Sequence, residues 1–127
     1  MKKTNPGISF RDKRGDIIDL ISQEKINAVT LITFKKGAVR ANHYHNKTTQ
    51  WNYVLSGKIK FLTQMPKGRV VKTIAKKGDF VVTVPKERHS LAGMADSVIL
   101  VLTKGPRGGK EYETDTFRLE EPLTEKR

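Results

Sequence analysis

Short runs of β-branched and aromatic residues recur along the chain, and Gly, Pro, Asn and Lys stand between them. The runs are DIIDLI (16–21), NAVTLITF (27–34), QWNYVL (50–55), KIKFL (58–62), RVVKTI (69–74), DFVVTV (79–84) and SVILVL (97–102). Each has the length of a strand, and a helical period is hard to find. Turn signals separate them at DKRGD (12–16), KKGA (35–38), LSGK (55–58), MPKGR (65–69), KKGD (76–79) and LAGMAD (91–96). The pattern predicts an all-β sandwich or barrel. No linker or repeat interrupts it, so residues 1–127 read as one domain. Its core spans about 27–103, with a strand or hairpin at 8–21 and a tail at 104–127. The tail, rich in Gly and charge, is expected to wrap the outside and end loosely.

Alternation assigns faces. In ANHYH (41–45) a strand puts His43 and His45 on one side. From Gln50 onward one face reads Gln50, Asn52, Val54, and the other reads Trp51, Tyr53, Leu55. If Gln50 shares the histidines' face, that face is a partly polar interior. The aromatic stripe then needs cover, either from the N-terminal strand or tail, or from a second copy in a homodimer.

Composition narrows the partners. Lys and Arg number 25 against 13 Asp and Glu, a formal charge of +12, which favours an anionic partner. The cations are scattered in pairs, such as Lys35-Lys36 and Lys76-Lys77, without a basic helix or RNA-binding motif. A small anionic ligand therefore fits better than nucleic acid. There is no cysteine, no apolar run long enough for a membrane span, and no apolar segment behind the basic start. The expectation is a cytoplasmic protein with no membrane partner.

Spacing supplies the chemistry. Gly37 is followed by five residues, His43, one residue, His45, four residues, Gln50, six residues and Gly57. Gly78 is followed by His89 eleven residues later. Two ligands at alternate positions of one strand and a third on the next can meet inside a small barrel. Neutral imidazoles suit borderline transition metals, and a three-ligand set with open positions suits catalysis.

These two spacings resemble the motifs of the cupins, over Gly37 to His89. The resemblance implies a single jelly-roll β-barrel with His43, His45, Gln50 and His89 around a divalent transition metal (Zn, Fe, Ni or Mn). Gln50 stands where cupins usually have glutamate, so a neutral amide replaces an anionic ligand. Pro85 falls one residue late in the second motif, Lys86 occupies its glycine position, and Gly93 stands where Asn is frequent.

A narrower likeness lies around the site. VRANHYH (39–45) is similar to the Val-Arg-Gly-x-His-Tyr stretch of dTDP-sugar 3,5-epimerases, and RDKRGDIIDLI (11–21) resembles their opening strand. Keto-sugar isomerases and capsule-assembly cupins share this vocabulary. The resemblance implies a nucleotide-sugar ligand, with Arg40 as a phosphate contact and Arg14 as a second candidate. Asn52 would face the substrate, and His43 would be a base or a ligand. His45 would be a ligand or an orienting group. Removing a proton beside a carbonyl needs a base near neutral pH and a partner acid, for which Tyr112 in the tail is the candidate. Two other readings stay open: a metal-dependent dioxygenase, and a non-catalytic barrel that binds or senses a small ligand.

Overall fold

The computed structural model describes residues 1–106 and 113–125. Two five-stranded antiparallel sheets face each other. The first runs β1 (Lys2–Thr4), β9 (Phe80–Thr83), β6 (Thr49–Ser56), β11 (Ser97–Lys104), β4 (Ala28–Phe34). The second runs β12 (Phe117–Arg118), β5 (Val39–Tyr44), β10 (Arg88–Gly93), β7 (Lys58–Gln64), β8 (Val71–Lys76). A separate hairpin pairs β2 (Phe10–Asp12) with β3 (Gly15–Ile17). This is the expected all-β cupin jelly roll, with its two layers open at the edges rather than closed into a barrel.

The strands form where period-two alternation matches burial. Along β11, Ser97, Ile99, Val101 and Thr103 point inward and Val98, Leu100 and Leu102 outward. The same rule in both sheets builds a core of Phe34, Val54, Ile59, Phe61, Ala75, Val81, Leu91, Ile99 and Val101. Register then changes the core's character along the strands. Gln50 lies opposite Thr83 and Thr103, and His89 lies opposite His43 and Thr63. One end of the interior is therefore hydrocarbon and the other polar.

Turns fall at the expected glycines. Gly57 (φ +83°) joins β6 to β7, where a Cβ would stand 2.2 Å from Ser97 Oγ, so only glycine fits. Several expectations change. DIIDLI is strand only as far as Ile17. The aromatic stripe is covered in part within the chain: Trp51 is 9% exposed, and Tyr53 meets Phe80 edge-on at 6.1 Å. The tail does more than wrap the outside, because β12 adds a strand to the second sheet at β5.

Candidate functional site

His43 reaches the polar end of the interior from β5, directly across from His89 on β10. His45 follows one residue beyond β5, on the same side as His43. All three are buried. The ring centroids of His43 lie 4.7 Å from those of both His45 and His89, and the latter two are 5.3 Å apart. One ring nitrogen from each can be chosen so that all lie within 4.8 Å of one another. The approach to His43 is irregular: Ala41 (φ +74°) and Asn42 (φ +56°) are left-handed. A glycine in the resembling epimerase stretch suits that conformation, which costs alanine about 1–2 kcal/mol.

Two carbonyls fix two of the imidazoles. His89 Nδ1–H donates to the Glu87 carbonyl at 3.0 Å, and His45 Nδ1–H donates to the Asp115 carbonyl at 2.8 Å. A carbonyl only accepts, so in the neutral form of either ring Nε2 carries the lone pair. Burial lowers the His89 pKa to about 4; the hydrogen bond to Glu87 opposes this shift, and the neighbouring His45 adds to it. His89 is neutral at pH 7. Glu87 is itself buried and its carboxylate accepts from Val84 N–H and the Met1 amine, which anchors the loop leading to His89.

A cavity of about 260 Å³ lies between the two sheets beside His43 and His89, lined from β4, β6, β9 and β11 on one side and β5, β10 and β12 on the other. His43, His89, Gln50, Asn52 and Thr83 form its polar wall, and Ile32, Phe34, Leu91, Ile99 and Val101 its apolar wall. Arg40, Ala41 and Arg118 complete the lining, which among the described residues contains no carboxylate. Arg40 is positioned by its Nη2, which donates to the Thr33 carbonyl at 3.1 Å, and by stacking over Phe34 at 5.4 Å. Asn52 is held by donation to the Val81 carbonyl at 3.0 Å.

The structure thus brings together His43, His45, His89, Gln50, Asn52 and Arg40. It does not bring in Arg14, which lies at the tip of the β2–β3 hairpin, exposed and paired with Asp12 at 2.7 Å. Tyr112 lies outside the described residues. Sequence reasoning missed Arg118, which β12 places in register with His43. It also missed Asp115. The Asp115 carboxylate accepts from Asn46 N–H, Lys47 N–H and the Thr48 hydroxyl. Burial pushes this carboxyl up, but the three hydrogen bonds outweigh it and hold the group below the ordinary carboxylate range.

Residues 10–117 match the profile of the polysaccharide biosynthesis C-terminal domain family. The chain belongs to that family. No curated protein sequence matches it. Solved structures share its fold at low identity. The sugar 3,4-ketoisomerase QdtA from Thermoanaerobacterium thermosaccharolyticum, in complex with TDP, superposes with a TM-score of 0.72 at 21% identity, covering 94% of this chain and 88% of that one. The dTDP-4-dehydrorhamnose 3,5-epimerase from Sulfolobus tokodaii gives 0.70 at 17%, covering 84% and 70%. The capsular polysaccharide assembling protein CapF from Staphylococcus aureus gives 0.68 at 20%, covering 87% of this chain but 32% of CapF. The resemblance to epimerases, keto-sugar isomerases and capsule-assembly cupins seen in the sequence is therefore shared by the fold.

Proposed function

We propose that this polysaccharide biosynthesis C-terminal domain is a sugar-nucleotide isomerase or epimerase that moves a proton beside a ketone. One observation carries the reading: a cavity whose lining among the described residues holds no carboxylate has buried histidines and two guanidiniums in that same lining. Such a cavity suits a ligand with a reactive neutral sugar and an anionic diphosphate. The fold neighbours support it, since QdtA was solved with TDP and a variant of that enzyme with TDP-4-keto-6-deoxyglucose.

The chemistry needs a base at the carbon next to the carbonyl. His43 lines the cavity and takes that proton, while the C–H electron pair becomes a C=C bond and the carbonyl π pair moves onto oxygen as an enediolate forms. Returning a proton to the opposite face of the same carbon gives the epimer. Proton transfer between the enediolate oxygens and protonation of the neighbouring carbon give the isomeric ketone. His89 is held neutral and serves as a hydrogen-bonding wall. Gln50 and Asn52 face the sugar hydroxyls, and Arg40 holds phosphate.

The three histidines also fit a divalent transition metal. The donors are neutral, close together, and in His45 and His89 already turned to present Nε2. His43, His45 and His89 would hold the ion in place of His43 acting as base, with Gln50 beside them, and the ion would supply Lewis-acid polarisation of the ketone. The set lacks an anionic ligand, which favours Zn, Fe or Ni over Mn. The whole chain acts as one domain, and a second copy covers the exposed Val29 and Leu31 on the open β4 edge (62% and 61% exposed).

Calorimetry with TDP tests the ligand class. Arg40→Gln should weaken binding by about 10- to 100-fold, the loss of one charge-assisted contact. Wild-type protein that does not bind TDP would overturn the reading, and binding without turnover of any TDP-keto-sugar would leave a binding barrel in place of an enzyme.

A further inference from the structure

Among the three histidines, His45 alone does not line the cavity, and the carbonyl that accepts from its Nδ1–H comes from the tail. We infer that Asp115 is a positioning residue: its main-chain carbonyl holds His45 in the Nδ1–H tautomer and leaves Nε2 as the lone-pair nitrogen within the three-histidine group. The inference rests on the reading of that group as the reactive site.

Residue 115 is itself held in place by its side chain. Its side chain is 4% exposed, and its carboxylate binds the three residues that follow His45 in the chain. Oδ1 accepts from Asn46 N–H at 3.0 Å, and Oδ2 accepts from Lys47 N–H at 3.0 Å and Thr48 O–H at 2.7 Å. The carbonyl of the same residue then meets the His45 ring at 2.8 Å. The imidazole and its acceptor are thus locked to the same loop, and neither moves without the other. The Thr116 hydroxyl, 3.5 Å from Nδ1, is a weaker second contact.

The consequence is chemical. A histidine whose Nδ1–H were released would populate the other tautomer, and Nε2 would then be a donor. Nε2 could neither ligate a metal nor accept a proton. The Asp115 side chain therefore governs the site without touching substrate. Its mutation should cost what loss of an outer hydrogen-bond partner usually costs a ligating or catalytic histidine, about 10- to 100-fold.

The test uses chelator-treated, ¹⁵N-histidine-labelled protein, with long-range proton–nitrogen correlation of the imidazole rings. Wild type should show His45 as a single Nδ1–H tautomer. Asp115→Ala should populate Nε2–H and lower kcat toward a TDP-keto-sugar about tenfold or more, with KM changed less than about twofold. Asp115→Asn keeps an oxygen acceptor for the loop and should restore most of both readouts. If Asp115→Ala fails to fold, Thr48→Val, which removes only the 2.7 Å bond, should give a smaller change of the same sign. Folded variants that keep the wild-type tautomer and kcat would overturn the inference. If wild type has no turnover but the tautomer still responds to Asp115→Ala, the positioning role stands and the assigned reaction falls.

Discussion

His89 shows what burial does to a single group. Its pKa falls from 6.5 to about 4 because burial penalises the imidazolium, against the opposing Glu87 carbonyl and with the help of His45. In the unfolded chain the ring takes up its proton near 6.5. Between pH 6.5 and 4 the unfolded state therefore binds more protons than the native state, and stability is lost as pH falls through that window. Above pH 6.5 the group contributes nothing to the slope. The loss totals about 3 kcal/mol once pH reaches 4. Asp79 and Asp115 have lowered values, so their own losses come at lower pH, below the ordinary carboxylate range. Urea midpoints of chelator-treated protein at pH 7 and pH 5 should show wild type weakening on acidification, with a flatter profile for His89→Gln. A wild-type profile flat across that interval would contradict the assignment. The histidines themselves were legible because glycines at fixed distances mark the turns that bring them inward. Asp115 was not legible, since its carboxylate bonds residues 46–48 far off in sequence and its contact with His45 is made by a main-chain carbonyl.

At the scale of elements, β12 is the part of the site that alternation did not reveal. It has two residues, too few for a period of two to show, yet it puts Arg118 in register with His43. Its hold on β5 comes from the outward side chains. Phe117 stacks on Tyr44 with centroids 5.3 Å apart, and the Arg88 guanidinium lies over the other partner of that stack, 4.1 Å from the Tyr44 ring centre. Leu119 N–H donates to the Asn42 carbonyl just beyond. Phe117→Ala should loosen the strand and weaken TDP binding about fivefold, roughly 1 kcal/mol. Unchanged affinity in a calorimetric titration would show that Arg118 does not depend on the stack. Two of the longer strands were legible because they keep their alternation over seven or eight residues, as β4 and β11 do. In β5 the left-handed Ala41 and Asn42 break that alternation. The hairpin around Arg14 resembled the epimerase opening strand in sequence, but its placement depends on contacts that local sequence does not specify.

For the whole molecule, the two layers leave one face under-covered. Val29 and Leu31 on β4 are exposed, while Trp51, the centre of the expected aromatic interface, is buried. A second copy is therefore better tested at β4. Leu31→Glu should shift sedimentation from dimer to monomer without lowering the melting midpoint, whereas a charge at Trp51 would test folding instead. An unchanged dimer would place the interface on another face. Among the described residues no helix is long and apolar enough to cross a membrane. The fold class was legible from the short β runs and frequent turns. The cavity was not, because it lies between two sheets whose facing is decided by packing far apart in sequence.

The central claim is proton transfer beside a ketone in the histidine-walled cavity, and proton exchange reports it most directly. TDP-4-keto-6-deoxyglucose would be incubated with the protein in D₂O and its ring protons followed by NMR. Wild type should exchange the proton next to the ketone and accumulate an epimer or isomeric ketone, and His43→Asn should slow this at least ~100-fold. Bound substrate that keeps all its ring protons, or exchange unaffected by the His43 substitution, would contradict the account.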